Sequence, residues 1–372
     1  MREPGRRKVL ILSAAMGGGH LQISRELARR LEGRGHEATV VDMLDLMPPP
    51  TGRFLRWVYP WLVNSAPRLY QHVYDTFFVA DQREGERAGI PVRLAMPGLR
   101  KLVEEFRPDV AVSTYPLSAL ALGRLRKRGG LACPAVTVIT TFSVNNLWIH
   151  PAADLEVCIS ADAAADATAR TGREAIVSGP VVRPEFLDAH LPREEARTRL
   201  GLPPDGRVAL LTTGSVGLAG SAEDAATALA GHRDWRPVVV CGRNEQLRRR
   251  LAGIPGVHAL GWVDDMPSVL AAVDVLVDNA GGMSSKEALG FGLPVVTFRP
   301  LSGHGRDDAE ALARLRLTDL VTETPDLLRA VDALVDDPER REGRIKRGQA
   351  LFVQDLADIV ERVAGGADVR GS

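Results

Sequence analysis

The sequence predicts an α/β protein of two doubly wound, Rossmann-like domains, each a parallel sheet with helices on both faces. Two observations predict it. Short, continuous apolar runs are separated by longer segments of helical period, the pattern of strands buried on both faces. The series then breaks at a stretch carrying Gly179, Pro180 and Pro184 and starts again, so the chain has two halves of one kind. A length of 372 residues, 45% hydrophobic and 25% charged, suits two domains that each bury a core.

In chain order, a short buried strand is expected at residues 9–12 and a helix at 21–31. Further strands are expected at 37–41, 109–113, 135–140, 155–159 and 175–178. Prolines and glycine at 179–186 disfavour a helix interior or a central strand. A helix at 193–200 precedes the second strand series at 208–213, 237–241, 257–260, 273–278 and 294–298. The expected organisation is therefore a first domain at 1–180, a linker at 181–192, a second domain at 193–350, and a carboxyl-terminal helix with a frayed tail at 351–372. Ligands of such sheets sit beyond the carboxyl ends of the strands, so a cleft between the halves is the expected site.

The formal net charge is zero but uneven: residues 1–178 carry 23 Lys+Arg against 18 Asp+Glu. A basic amino-terminal half can face an anionic surface, or the asymmetry is ordinary scatter. Cys133, Cys158 and Cys241 form no C-x-x-C pair, which argues against a disulfide framework or a zinc site and fits a reducing cytoplasm. No secretory signal and no apolar run of about 18 residues is read, so a cytoplasmic chain is expected, or one peripheral on the inner face of the cell membrane.

Three loops carry the chemistry. The first is Gly17-Gly18-Gly19-His20, between the first strand and first helix. Consecutive glycines let a backbone pass close to a ligand, and the helix start offers unpaired N–H groups. It is neither G-x-G-x-x-G nor a P-loop. His20, at its lip, suits a proton acceptor near neutral pH, or else caps the helix. The second loop runs from Asp278 through Gly281, Gly282, Ser284, Ser285 and Glu287. Its hydroxyls and N–H groups suit a pyrophosphate without any metal, and Glu287 suits a ribose diol. The third holds His304, Asp307 and Asp308, which suit sugar hydroxyls, although the two aspartates can also cap a helix. Gly214 and Ser215 are expected along the phosphates, and Val263 and Met266 near a base; the adjacent Asp264-Asp265 reads as a solvated turn rather than a metal site.

Residues 51–78 contain eight of the chain's eighteen aromatics, among them Phe54, Trp57 and Trp61, accompanied by Arg53, Arg56 and Arg68. Aromatics interleaved with arginine suit an anionic membrane interface, and the competing reading is a buried helix pair.

Several of these motifs together resemble the diacylglycerol glycosyltransferase family, which includes monogalactosyldiacylglycerol synthases and processive diacylglycerol glucosyltransferases. They are Gly17-Gly18-Gly19-His20, Arg107-Pro108-Asp109 with Ser113-Thr114-Tyr115-Pro116, Leu147-Trp148-Ile149-His150, Gly179-Pro180-Val181-Val182-Arg183-Pro184, Cys241-Gly242-Arg243-Asn244, and Gly281-Gly282 through Glu287. The resemblance runs over roughly residues 8–350. It implies a GT-B fold with the acceptor on the first domain and a nucleotide-sugar on the second, and an inverting, metal-independent transfer without a cofactor. The expected partners are a UDP-sugar donor and a lipid acceptor, with an anionic membrane surface suggested by the aromatic–arginine cluster and no nucleic acid. One departure stands out: the family's Asp and, four residues later, His are here Thr141 and Asn145. His20 is then the candidate base, with His150 as rival. The expected activity is hexosyl transfer from a UDP-sugar to a diacylglycerol-like lipid; transfer to a soluble natural product and hydrolytic UDP-sugar epimerisation are the alternatives.

Overall fold

The computed structural model describes residues 5–16, 18–66, 69, 89–188, 191–213, 221–301 and 303–367. The chain divides into two compact units, Met1–Val181 with Phe352–Ser372, and Val182–Leu351.

The first unit holds β1 (Lys8–Ser13), α1 (Gly19–Gly33), β2 (Glu37–Asp42), α2 (Thr51–Ser65), α3 (Gly89–Phe106), β3 (Val110–Ser113), α4 (Pro116–Lys127), β4 (Ala135–Ile139), β5 (Leu155–Cys158), α5 (Ala161–Thr171) and β6 (Ile176–Val177). Its sheet has the order β2-β1-β3-β4-β5-β6, every pair parallel. Val9, Leu10, Ile11 and Leu12 are fully buried, as a strand covered on both faces requires. On α1 the buried positions Ile23, Leu27, Ala28 and Leu31 follow the 3.6-residue period. The chain leaves β1 on one side for β2 and returns on the other at β3. The topological switch point of this sheet therefore lies at the carboxyl ends of β1 and β3.

The carboxyl-terminal helix Leu356–Ala364 returns to this unit. It buries Leu356, Ile359 and Val360, and Arg30 and Arg34 of α1 pair with Asp355 and Asp358 at 2.6–2.9 Å. The ion pairs are part-exposed and individually worth about 0–1 kcal/mol, so the apolar stripe does most of the holding.

The second unit runs through α6 (Arg193–Arg199), β7 (Arg207–Thr212), α7 (Ala222–Ala230), β8 (Trp235–Val240), α8 (Glu245–Ala252), β9 (His258–Leu260), α9 (Met266–Ala272), β10 (Val275–Asp278), α10 (Met283–Phe291), β11 (Val295–Phe298), α11 (His304–Arg314), β12 (Thr318–Val321), α12 (Thr324–Asp336) and α13 (Pro338–Gln349). Its sheet, also parallel, has the order β12-β11-β10-β7-β8-β9, so its switch point lies between β7 and β10. Strand β12 opens on Thr318-Asp319, two polar residues, and periodicity alone does not mark it as a strand. The stretch with Pro184 closes into one short 3-10 turn, Pro184–Phe186, rather than a plain extended linker. Arg197 of α6 is buried against the Asp274 carboxylate, which also accepts the Val208 amide at 2.8 Å, so α6 is fastened to the base of β7 and β10.

Candidate functional site

At the switch point of the first sheet, α1 starts at Gly19 with Gly18 as its amino-terminal cap; Gly17 lies outside the described residues. Asp42, at the end of β2, braces this loop. One of its oxygens accepts the Ala15 amide at 3.2 Å and the Arg56 guanidinium at 2.7 Å, and the other accepts the Leu44 amide. Arg56 also meets Asp45 at 2.6 Å. It is thus paired with two carboxylates of its own unit.

His20 occupies the first turn of α1, half-buried, with its ring edge-on to Tyr115 at 5.0 Å and tilted against Trp148 at 6.0 Å. Its Nδ1 lies 2.9 Å from the Thr114 carbonyl oxygen and 3.1 Å from Thr140 Oγ1. A carbonyl only accepts, so Nδ1 carries the proton and Nε2 is the basic nitrogen of the neutral ring. The other proton-handling positions are occupied differently. The Thr141 hydroxyl donates to the Ser143 carbonyl at 2.7 Å, and Asn145 Oδ1 accepts the Leu147 amide at 3.1 Å, so both fold the loop they stand in. His150 is 3% exposed, and its Nδ1 accepts the Ala152 amide at 3.1 Å. A Cβ on Gly123 would overlap the His150 ring, so helix α4 is packed directly onto it. Burial, then the nearby Arg124, Lys127 and Arg173 charges, push the His150 pKa down to about 4. His150 is a neutral packing residue at pH 7, which leaves His20 as the candidate base.

Helix α2 presents apolar side chains outward. Phe54 is 55% exposed and Trp57 68%, with ring centroids 6.4 Å apart, and Ile90 at the start of α3 is also exposed. The opposite side of α2 is fixed by close approach: a Cβ on Gly52 would overlap the Leu44 carbonyl oxygen. The side chain of Trp61, and residues 70–78 with their four aromatics, lie outside the described residues.

In the second unit, the expected donor loop is trussed from inside. Asp278 Oδ2 accepts the Ala280 amide at 3.2 Å, the Gly281 amide at 2.8 Å and the Ser285 hydroxyl at 2.6 Å. Lys286, buried, donates to the Gly281 carbonyl at 3.0 Å. Burial lowers the Lys286 pKa, and the carboxylates of Asp308, Asp278 and Glu287 act against that. Gly281 has φ +60°, and a Cβ there would meet Leu312 Cδ1 at 3.0 Å and Asp308 Cβ at 3.2 Å, so a side chain there would be both strained and crowded. An added Cβ on Gly282 would stand in open space, so its backbone is approachable from outside. Ser284 is half-buried in the first turn of α10, whereas Ser285 is fully buried as an internal strut. Glu287 is buried one turn into the helix.

A small recess at the carboxyl ends of β7, β10 and β11 is lined by Thr212, Ser221, Asp278, Asn279 and Phe298. Gly214 and Ser215 lie outside the described residues, as does the side chain of His304. Helix α11 already begins at His304, so Asp307 and Asp308 stand inside its first turns and neither is the cap. Asp308 is 2% exposed and faces the loop interior; Asp307 is half-buried. Val263 and Met266 are half-buried beside the turn at residues 262–265. Arg243 lies over the exposed Trp262 ring at 4.8 Å, and the Trp262 indole donates to Asp264 at 2.8 Å. Asp265 caps α9 by accepting from Ser268. Among the described residues no group of acidic, histidine or cysteine side chains is arranged to hold a metal.

Comparison with known proteins falls along the same division. Residues 20–182 match the family described as monogalactosyldiacylglycerol (MGDG) synthase, and residues 218–337 match glycosyl transferases group 1. A processive diacylglycerol beta-glucosyltransferase of Bacillus pumilus is 24% identical over 371 residues, 96% of this chain and 95% of the relative. Among solved structures, the glycotransferase of kitacinnamycin superposes with a TM-score of 0.64 at 19% identity, over 97% of this chain and 100% of the other. The Anabaena protein Alr3699/HepE, solved in complex with UDP-glucose, gives a TM-score of 0.56 at 16% identity, over 97% of this chain and 99% of the other.

Proposed function

We propose that this chain, a glycosyltransferase of the GT-B fold related to the diacylglycerol glycosyltransferases, transfers a hexose from a UDP-sugar to the hydroxyl of a diacylglycerol-like lipid, with inversion and without a metal. The observation that carries the chemistry is His20, whose Nδ1 is tied to the Thr114 carbonyl. In the proposed step, His20 Nε2 takes the acceptor's hydroxyl proton. The oxygen forms a bond to the sugar's C1 from the face opposite the diphosphate, and the C1–O bond to UDP breaks with its electron pair leaving on the diphosphate. The start of α10, with Gly282 and Ser284, supplies N–H and hydroxyl groups for that charge. Glu287 is assigned to the ribose, Val263 and Met266 to the base, and Asp307 to the sugar. The lipid acceptor is supported by the name of the Bacillus relative and by the outward Phe54–Trp57 pair.

The test is product analysis. The protein is incubated with UDP-glucose or UDP-galactose, with and without diacylglycerol micelles, in EDTA. A glycolipid formed only when diacylglycerol is present, at an EDTA-independent rate, is expected. Transfer that vanishes in EDTA and returns with magnesium or manganese would refute the metal-free reading. UDP release with an altered sugar and no glycolipid would replace transfer with epimerisation.

No helix among the described residues is long and apolar enough to cross a membrane. Membrane access in this reading is peripheral, through α2. Aromatic side chains of this size contribute about 1.5–3 kcal/mol each when fully withdrawn from water. Phe54→Ser with Trp57→Ser is therefore expected to weaken binding to anionic vesicles at least tenfold in sedimentation. Undiminished binding would make the pair part of an acceptor surface instead.

A further inference from the structure

We propose that Thr140 is a positioning residue for His20, holding the imidazole in the tautomer whose Nε2 is basic; the proposal rests on the reading of His20 as the base. Two acceptors converge on His20 Nδ1, the Thr114 carbonyl at 2.9 Å and Thr140 Oγ1 at 3.1 Å. They come from different elements, the end of β3 and the end of β4. The carbonyl dictates that Nδ1 is a donor. The Thr140 hydroxyl, free to rotate its own proton away, then serves as second acceptor of the same N–H. The carbonyl is itself immobilised: the Thr114 amide donates to the Leu12 carbonyl at 3.0 Å. Thr114 Oγ1 lies 2.6 Å from Ser24 Oγ, and Ser24 donates to the His20 carbonyl at 2.9 Å. The first turn of α1 and the ends of β1 and β3 thus close a loop of bonds around the ring, and Thr140 closes it from β4.

The neighbouring Thr141 hydroxyl donates to the Ser143 carbonyl instead, and the contact with His20 is made by Thr140. As His20 gains a proton, its Nδ1–H becomes a charged and stronger donor, so both acceptors favour the step. With Thr140 removed, the ring loses this acceptor and is freer to turn or to exchange tautomer.

The test uses the full chain labelled with 15N-histidine. Long-range 1H–15N spectra above pH 8 report the tautomer of each neutral histidine, and His20 is identified by the signal lost in His20→Ala. The parent is expected in the Nδ1–H form. Thr140→Val is expected to populate the Nε2–H form and to lower kcat about 2- to 10-fold, the range of one neutral hydrogen bond, with KM for the UDP-sugar unchanged. Thr140→Ser is expected to restore both readings. Thr140→Ala replaces the valine variant if that one does not fold. An Nε2–H tautomer in the parent overturns the proposal, as does a valine variant with parental tautomer and kcat. The two readings separate cleanly. Near-parental turnover in His20→Ala removes the base itself, whereas an inactive His20→Ala beside an unaffected Thr140→Val removes only the role of Thr140.

Discussion

His20→Ala is expected to cut turnover by roughly 10²–10⁴-fold, the usual range for loss of a general base, while UDP binding measured by calorimetry stays near that of the parent. The argument is geometric first. An inverting displacement needs a proton acceptor on the acceptor's side of the sugar. His20 stands at the switch point of the first sheet, where ligands of such sheets bind, with its basic nitrogen defined by the carbonyl on the other one. The donor contacts are assigned to a different unit, which is why donor affinity and turnover should separate. His150 provides the internal control. It is buried, neutral and hydrogen-bonded through Nδ1 to the Ala152 amide. His150→Asn should therefore lower thermal stability before it lowers kcat at a temperature where the variant is folded. A His20→Ala variant within a few-fold of the parent would show that the proton leaves by another route. Raised activity in Thr141→Asp would then point to that position.

The two parallel sheets and the strand-to-helix loops proposed to bear the chemistry were legible because buried parallel strands leave an unbroken apolar signature and glycines mark the loops. Residues that act by bracing those loops were not. Asp42 and Asp278 each end a strand, where an acidic residue looks like a ligand contact, yet both turn back to accept amides of their own loops. Nothing in a linear pattern distinguishes an outward carboxylate from one folded inward. The same ambiguity hid Asp308, which is buried against the Gly281 turn while Asp307, one residue earlier, is not. Thr141 stands at the place of a family pattern, but the contact with His20 is made by Thr140, a matter of which side chain faces the ring where β4 ends. The carboxyl-terminal helix returns to the first unit through its buried apolar stripe, with Arg30 and Arg34 meeting Asp355 and Asp358 across more than 300 residues. An amphipathic period shows that such a helix needs a partner but not which one.

Asp278→Ala should be the most disruptive change in the second unit, acting on stability and donor affinity together. One carboxylate oxygen accepts from the Ala280 amide, the Gly281 amide and the Ser285 hydroxyl. Gly281 and Ser285 are buried, so their donors cannot turn to water when the acceptor goes. Each buried donor left unsatisfied costs about 1–3 kcal/mol, which makes a loss of about 2–6 kcal/mol in urea denaturation the expected result. The charge balance shifts as well, because Asp278 is one of three carboxylates that favour the charged form of buried Lys286. Lys286 in turn holds the Gly281 carbonyl, so the turn at φ +60° loses support from both ends. If the start of α10 binds the diphosphate, the loosened Gly281–Gly282 backbone must be reordered on binding, and UDP affinity should fall at least tenfold. Glu287→Ala isolates the direct contact: it should weaken UDP by about 1–3 kcal/mol, the cost of losing a hydrogen bond to a charged group, with the Asp278 truss still in place. An Asp278→Ala protein with unchanged denaturation midpoint would show that the truss does not hold the loop. A destabilised variant with unchanged UDP affinity at a temperature where it is folded would remove the diphosphate from this helix start.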